Sequence, residues 1–132
     1  PKIIDGLVNL PTTAPLRSVI DVENCLDEYE KGDVDVVITV TDAHRSPYFN
    51  MVTNDKDGYS SLVISGNNIV CRQDAPIVYD MTTVAYVIKP KFMQNSMGLF
   101  DGRIRSVKIP VERAIDIDTE LDFRIAESML GA

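Results

Sequence analysis

The sequence predicts one α/β domain with an antiparallel β region inserted into it. Two observations carry this prediction. The chain begins in the order strand, loop, helix, strand, which is the order of a βαβ unit. Between about Tyr48 and Ile88 the pattern changes to short β-rich runs separated by turn signals. The length of 132 residues fits one domain with a sizeable core.

The first strand, helix and second strand are each predicted from local pattern. Ile3–Leu10 is predicted as a mostly buried strand, which the prolines of "PTTAP" bring to an end. Ser18 followed by Asp21 resembles a capping box, and Gly32 is a plausible helix stop. Val34–Val40 is rich in β-branched residues and is predicted as a buried, parallel strand. Apolar residues between the helix signals fall at helical spacing: Val19, Val22, Leu26 and Tyr29.

The later elements follow from turn signals and periodicity. Asp57 and Gly58 lie between two strand-like runs and predict a hairpin. Thr82–Ile88 is a further strand, and Arg103–Pro110 alternates as a half-exposed strand does. Glu120–Leu130 is predicted as a helix with one apolar face, formed by Leu121, Ile125, Ala126, Met129 and Leu130.

Composition argues against two classes of partner. The formal net charge is −7, whereas a duplex nucleic-acid binder needs a basic face. No apolar run approaches the roughly 18–20 residues of a membrane span. The negative net charge does not argue against an anionic small-molecule substrate, because nearby arginines or a metal ion reverse the electrostatic field at a local site. Cys25 and Cys71 lack metal-type spacing and are predicted as two buried thiols of a cytoplasmic protein.

Four acidic residues lie close together in the stretch "DIDTELD". Thr119 is predicted as the N-cap of the last helix, with Asp122 as its reciprocal partner. Glu120 and Asp122 then lie at the positive end of the helix dipole. These two acids are therefore explained without any function.

Asp116 and Asp118 precede this cap and need another explanation. They are predicted to continue a strand, where residues two apart point to the same face. Ligands bind at the carboxyl ends of strands in open α/β sheets, and Mg²⁺ is held by one or two carboxylates with water and phosphate oxygens. The pattern favours a metal site. The alternative is a solvated edge where both acids face water.

Four stretches together resemble the acylneuraminate cytidylyltransferases, the CMP-sialic acid synthetases and their relatives acting on other nine-carbon sugar acids. "AIDIDTELDFRIAESML" resembles the C-terminal signature of that family. "LVNLPTTAPLRS" resembles its strand followed by a "QPTSPLR" loop, and "VVITVTDAHRSPYF" its next strand and loop. "CRQDAPIVYD" resembles the Arg-Gln-x-x-Pro segment that opens its dimerisation region. The resemblance runs nearly from end to end.

The resemblance implies a fold, a reaction and an assembly. The chain would be the C-terminal portion of a Rossmann-like nucleotidyltransferase sheet, with a β-rich dimerisation region at about residues 48–88. The reaction transfers CMP from CTP to a 2-keto sugar acid, releases pyrophosphate and requires Mg²⁺; the protein would be a homodimer. Asp118 and Asp116 match the aspartates that carry the metal. Asp118 is the stronger candidate, and Asp116 is expected to bind through water.

The resemblance also implies five sugar-site residues. Arg72 matches an arginine that reaches the neighbouring subunit's sugar site, where a guanidinium suits a carboxylate, and Gln73 is a weaker neighbour. Thr13 and Arg17 match the threonine and the closing arginine of the "QPTSPLR" loop. Phe100 precedes the last strand and would line the pocket. The alternatives are a surface ion pair for Arg72, a structural role for Arg17 and, after Phe100, a plain turn at Asp101 and Gly102.

Departures from the family pattern leave the substrate open. The family's glutamine falls at Pro11, its proline at Thr12 and its serine at Ala14, so a sugar contact from an amide is lost. N-acetylneuraminate, legionaminate and a ketodeoxynonulosonate are equally compatible. Nothing resembles the glycine-rich, basic loop that cradles the CTP triphosphate. The chain is therefore expected to be an incomplete fragment, inactive alone. The alternative is a non-catalytic dimerisation or sugar-binding module on the same scaffold.

Overall fold

The computed structural model describes residues 3–66 and 68–131, which form two compact units. The first unit comprises Pro1–Thr41 with Met81–Ala132, and the second comprises Asp42–Asp80. In chain order the strands and helices are β1 (Leu7–Asn9), α1 (Val19–Glu30), β2 (Val36–Asp42), β3 (Val52–Asn54), β4 (Ser60–Leu62), β5 (Tyr79–Ile88), α2 (Pro90–Asn95), β6 (Ile104–Lys108) and α3 (Glu120–Leu130).

The main sheet has four strands in the order β1-β5-β2-β6. β1 is antiparallel to β5, and β2 is parallel to β6. The Lys89 N–H donates to the Asp35 carbonyl at 2.9 Å, and the Ala85 N–H donates to the Thr39 hydroxyl at 3.3 Å. The start of β2 therefore lies beside the end of β5, so these two strands are antiparallel. β1 and β2 consequently run parallel, as a βαβ unit requires, with β5 inserted between them.

β2 is the buried centre of the sheet, as its β-branched sequence predicts. Val37 packs on one face with Cys25 of α1, and Val36 packs on the other face with Phe92 of α2. A strand covered on both faces needs apolar side chains at consecutive positions rather than at alternate ones. The predicted parallel strand at Val34–Val40 is confirmed by its pairing with β6.

The predicted buried strand at Ile3–Leu10 is wrong. Only Leu7–Asn9 pairs in the sheet, and all three of these residues are exposed. β1 ends the strand order and is therefore covered less than a central strand. The apolar run that predicts burial is real, but Ile3 and Ile4 are 85% and 65% exposed.

Two hydroxyl groups meet inside the sheet between β2 and β5. The Thr82 hydroxyl donates to the Thr39 hydroxyl at 2.6 Å, and Thr39 is fully buried. Val84 and Ala85 are adjacent, yet both pack in the same core cluster. Strict alternation would place them on opposite faces, so the pleat is interrupted here as it is at a β-bulge. At this irregular point the Ala85 N–H donates a hydrogen bond to the Thr39 hydroxyl.

The predicted caps of both long helices are confirmed. At the start of α1 the Ser18 N–H donates to the Asp21 carboxylate at 2.9 Å. At the start of α3 the Thr119 N–H donates to the Asp122 carboxylate at 2.8 Å, and the Thr119 hydroxyl accepts from the Asp122 N–H. Gly32 follows α1 with φ +76°, the left-handed conformation that favours glycine.

The second unit contains the predicted hairpin. β3 and β4 pair antiparallel, and the carboxylate of Asp55 accepts the N–H groups of Asp57 and Tyr59, each at 2.9 Å. Gly58 has φ +89°, which explains the glycine at this turn. Within the predicted 48–88 region, the hairpin belongs to this unit, whereas β5 runs into the main sheet.

The two cysteines differ in exposure. Cys25 is buried as predicted, but the prediction that Cys71 is buried is wrong, because it is exposed and its thiol lies 3.1 Å from the Asp74 carboxylate. Burial of Cys25 raises the pKa of its thiol to about 11. No helix in the described part of the chain is long and apolar enough to cross a membrane.

We predict that Thr39→Val lowers the free energy of unfolding by about 1–3 kcal/mol, because valine leaves the Thr82 hydroxyl and the Ala85 N–H without their partner. Urea denaturation measures this change. Thr53→Val on exposed β3 is the control and is expected to stay within about 0.5 kcal/mol. Equal effects of the two substitutions would contradict the role given to the Thr39 hydroxyl.

Candidate functional site

Asp116 and Asp118 lie in an irregular segment, so the predicted strand through them is wrong. β6 ends at Lys108, and Pro110, which has no N–H to donate, is followed by a 3₁₀ turn at Val111–Arg113. Residues 114–118 then have no regular structure before α3 begins. The two aspartates are therefore not placed by strand alternation, and their positions depend on hydrogen bonds to neighbouring segments.

Hydrogen bonds hold the middle and the end of this segment. The Ile117 N–H donates to the Thr13 carbonyl at 2.8 Å. The Asp118 N–H donates to the Asp122 carboxylate at 3.2 Å, the same oxygen that caps α3. The first bond brings the 10–17 loop next to the segment that carries the two aspartates.

An ion pair between the partly exposed Arg113 and the buried Asp21 holds the beginning of the segment. The Arg113 guanidinium donates two hydrogen bonds to the Asp21 carboxylate, from Nε at 2.9 Å and from Nη2 at 2.8 Å. Asp21 is 1% exposed. Burial alone would raise its pKa, but the hydrogen bonds from Arg113 and Ser18 outweigh burial and leave the pKa below its ordinary value. The hydrogen bond to Asp21 likewise raises the pKa of Arg113.

The two aspartates have different surroundings. Asp118 is exposed, whereas Asp116 is half-buried and its Oδ1 is buried without a hydrogen-bond partner among the residues that the structure describes. Tyr86 of β5 lies close to Asp116. Burial, together with the nearby Asp116 charge, raises the pKa of its phenol. Tyr86 is a site residue that the sequence pattern did not single out, because its position depends on the order of the strands.

The 10–17 loop is fixed by its own arginine. The Arg17 guanidinium donates to the Pro11 carbonyl across the loop, while Ala14 is fully buried. The Arg17 Nε is buried without a partner among the described residues. These contacts support the structural role for Arg17, while the exposed Thr13 side chain stays available to a ligand.

Arg72 and Gln73 lie in the second unit, in a 3₁₀ turn at Arg72–Asp74. The Arg72 guanidinium donates to the His44 carbonyl at 2.7 Å and lies 5.6 Å from the centre of the Phe49 ring. It lines a cavity of about 190 Å³ together with Ser46, Phe49 and Pro76. Arg72 is thus held by its own unit, with further N–H groups left for a carboxylate ligand.

Phe100 lies in a 3₁₀ turn at Leu99–Asp101 and is 71% exposed. The Asp101 carboxylate accepts the N–H groups of Gly98 at 2.8 Å and Met97 at 3.1 Å. These bonds explain Asp101 as a turn residue, which is the alternative the sequence left open. Phe100 itself presents an aromatic ring to solvent.

Curated relatives of this chain include a CMP-N,N'-diacetyllegionaminic acid synthase, an N-acylneuraminate cytidylyltransferase and a flagellin modification protein. A CMP-N,N'-diacetyllegionaminic acid synthase from Campylobacter jejuni is 33% identical over 127 residues, which are 96% of this chain and 53% of that protein. Post-translational flagellin modification protein B from Campylobacter coli is 33% identical over 126 residues, with the same coverage. An N-acylneuraminate cytidylyltransferase from Streptococcus agalactiae is 24% identical over 88% of this chain and 28% of its own length.

The chain is a homologue of CMP-sugar cytidylyltransferases. This confirms the resemblance that the four sequence stretches carry. The chain spans about half the length of the two Campylobacter relatives. No family model matches it.

One solved structure has a fold similar to that of this chain. The 4-diphosphocytidyl-2C-methyl-D-erythritol synthase from Anaerococcus prevotii superposes with a TM-score of 0.61 over 97% of this chain and 59% of its own. The two sequences are only 15% identical, so the likeness concerns the fold alone. The cytidylyltransferase homologue thus has a mixed α/β sheet of the predicted class.

We predict that the stability difference between the wild type and Asp21→Asn depends on pH in the acid range. Asp21 has a lowered pKa when folded, so its contribution is fully present above the ordinary aspartate pKa of about 3.9. It is lost as the pH falls through the lowered folded pKa. Urea denaturation from pH 7 to pH 2 measures both proteins. A difference that stays constant down to pH 2 would contradict the ionised, donor-stabilised Asp21.

Proposed function

We propose that this cytidylyltransferase homologue carries the carboxylates and part of the sugar site of an enzyme that transfers CMP from CTP to a nine-carbon 2-keto sugar acid. The anomeric hydroxyl attacks the α-phosphate of CTP, and pyrophosphate leaves. The observation that carries the proposal is the pair Asp116 and Asp118 on a segment bonded to the Thr13 loop, in a chain 33% identical to a legionaminate-activating synthase.

The donor set at the aspartates fits Mg²⁺. Both side chains offer hard carboxylate oxygens, and the buried Asp116 Oδ1 lacks a partner among the described residues. Within the same residues no group of three or more His, Cys, Asp or Glu side chains is arranged to hold a metal. Mg²⁺ typically takes one or two carboxylates and completes its shell with water and phosphate, so the proposal needs only the two aspartates from the protein. When bound, Mg²⁺ neutralises charge that develops on the phosphates.

The residues of the chain bind and orient the reactants. Asp118 is exposed and is proposed as the direct ligand, whereas Asp116 is proposed to act through water from its half-buried position. The Tyr86 phenol, like that of any ordinary tyrosine, is protonated at neutral pH and can donate a hydrogen bond in the neighbourhood of Asp116. Phosphoryl transfer depends mainly on such positioning and charge neutralisation.

The sugar acid is proposed to contact the remaining predicted residues. Arg72 offers N–H groups suited to the carboxylate of a sugar acid, with Gln73 beside it. Thr13 offers an exposed hydroxyl, and Phe100 an exposed ring. Arg17 is proposed to shape the loop rather than to touch the sugar. In the assembled homodimer, Arg72 is proposed to serve the site of the neighbouring subunit.

We predict that the complete protein forms a CMP-sugar from CTP and one member of a panel containing N-acetylneuraminate, legionaminate derivatives and a ketodeoxynonulosonate. The 132-residue chain alone is expected to show no turnover, because no glycine-rich phosphate loop is present in its sequence. Turnover of both proteins is measured by chromatography of the CMP-sugar and by an assay of released pyrophosphate. Robust turnover by the 132-residue chain would disprove the fragment hypothesis. No turnover by the complete protein with any sugar acid would favour the non-catalytic module.

We predict that Asp118→Asn lowers turnover of the complete protein about 100-fold or more, because an amide is a much weaker ligand for Mg²⁺ than a carboxylate. Steady-state rates at several Mg²⁺ concentrations measure the loss, and circular dichroism verifies the fold. Asp27→Asn on the exposed face of α1 is the matched control and should keep the wild-type rate. Activity of Asp118→Asn within a few-fold of the control would refute the metal assignment.

A further inference from the structure

The ion pair of Asp21 and Arg113 lies outside the predicted ligand set, yet it connects the two segments that build the site. Asp21 belongs to the first turn of α1, directly after the 10–17 loop. Arg113 ends the 3₁₀ turn from which the segment carrying Asp116 departs. The two residues are 92 positions apart in sequence, so the pair is a long-range connection.

The two hydrogen bonds of the pair restrict the orientation of both side chains, which attraction between two charges alone would not do. Arg113 donates from Nε and from Nη2 to the two different oxygens of Asp21, at 2.9 and 2.8 Å. A guanidinium bound in this way is fixed in plane and in rotation, whereas an ammonium group would be fixed only in distance. One Asp21 oxygen also accepts the Ser18 N–H, which fixes the carboxylate itself.

The position of the pair along the chain matters for the carboxylates. Arg113 comes three residues before Asp116, and the intervening backbone has no regular structure. The next anchor of this backbone is the bond from the Ile117 N–H to the Thr13 carbonyl. A change in the direction in which the chain leaves Arg113 therefore alters that bond, and with it the carboxylates on either side of Ile117.

We propose that Asp21 and Arg113 are positioning residues: their bidentate pair fixes the segment of Asp116 and Asp118 against the Thr13 loop, and so sets the affinity of the two carboxylates for a divalent cation. This inference rests on the proposed function for its metal, but the positioning itself is a property of the chain. Neither residue touches a reactant in this scheme.

The test is Arg113→Lys, which keeps the positive charge on Asp21 and removes the bidentate contact. Amide hydrogen exchange of Ile117 reports the position of the segment in the absence of metal. Line broadening of the amide signals of residues 114–119 by Mn²⁺, recorded by NMR on the 132-residue chain, reports cation binding. We expect faster exchange at Ile117 and a half-saturating Mn²⁺ concentration about tenfold higher than in the wild type.

Two controls separate positioning from stability. Arg105→Lys removes a partly exposed arginine that bonds the Gly32 carbonyl elsewhere in the same unit, and it should leave both readouts unchanged. Val36→Ala opens the core cluster on the α2 side, which contains no residue of the 114–118 segment, and lowers the melting temperature. We expect its half-saturating Mn²⁺ concentration to stay within twofold of the wild type.

The outcomes distinguish this inference from the proposed function. If Arg113→Lys changes the exchange of Ile117 and the Mn²⁺ midpoint no more than Val36→Ala does, the pair only stabilises the fold and the inference is overturned. If the wild type shows no broadening at residues 114–119, the metal assignment fails. In that case, faster amide exchange at Ile117 in the Arg113→Lys variant would still support the positioning of the segment. The link between the pair and cation affinity would be overturned.

Discussion

A buried carboxylate that stays charged must be surrounded by hydrogen-bond donors. Asp21 is such a carboxylate, and the first unit supplies its donors from two distant segments of the chain. At 1% exposure it has almost no water to solvate it. Its donors are the Ser18 N–H at the start of α1 and the Arg113 guanidinium after β6. One desolvated charge therefore brings the 10–17 loop and the 114–118 segment to the same end of α1. The Ile117 to Thr13 hydrogen bond forms at the place where these two segments meet.

Features that depend on neighbouring residues were predictable from the sequence. The reciprocal cap at Ser18 and Asp21, and the cap at Thr119, involve residues three positions apart. The hairpin at Gly58 needs a local turn and two strand-like runs. In each case the side chain that accepts a hydrogen bond from a backbone N–H lies only a few residues from it in the sequence. The division of the acidic stretch at Thr119 follows from the same local rule.

Features that depend on distant residues were not predictable in this way. A strand was expected to run on to Asp118, but the residues beyond Pro110 turn away because Arg113 reaches a partner 92 positions earlier. Burial of the apolar run at Ile3–Leu10 was expected, but β5 enters the sheet beside β1 from a later part of the chain. Tyr86 reaches Asp116 only through that strand order. Hydrophobic periodicity holds no information about which strands become neighbours.

The irregular backbone at the aspartates suits the proposed chemistry better than the expected strand would. In a strand, residues two apart share a face and hence share its degree of burial. Here Asp116 is half-buried beside Tyr86, whereas Asp118 faces solvent. This asymmetry allows one carboxylate to bind an incoming cation directly while the other acts from within the protein. A backbone without ladder hydrogen bonds must be held by other means. The ion pair of Asp21 and Arg113, the bond to Thr13 and the helix cap at Asp122 together provide that support.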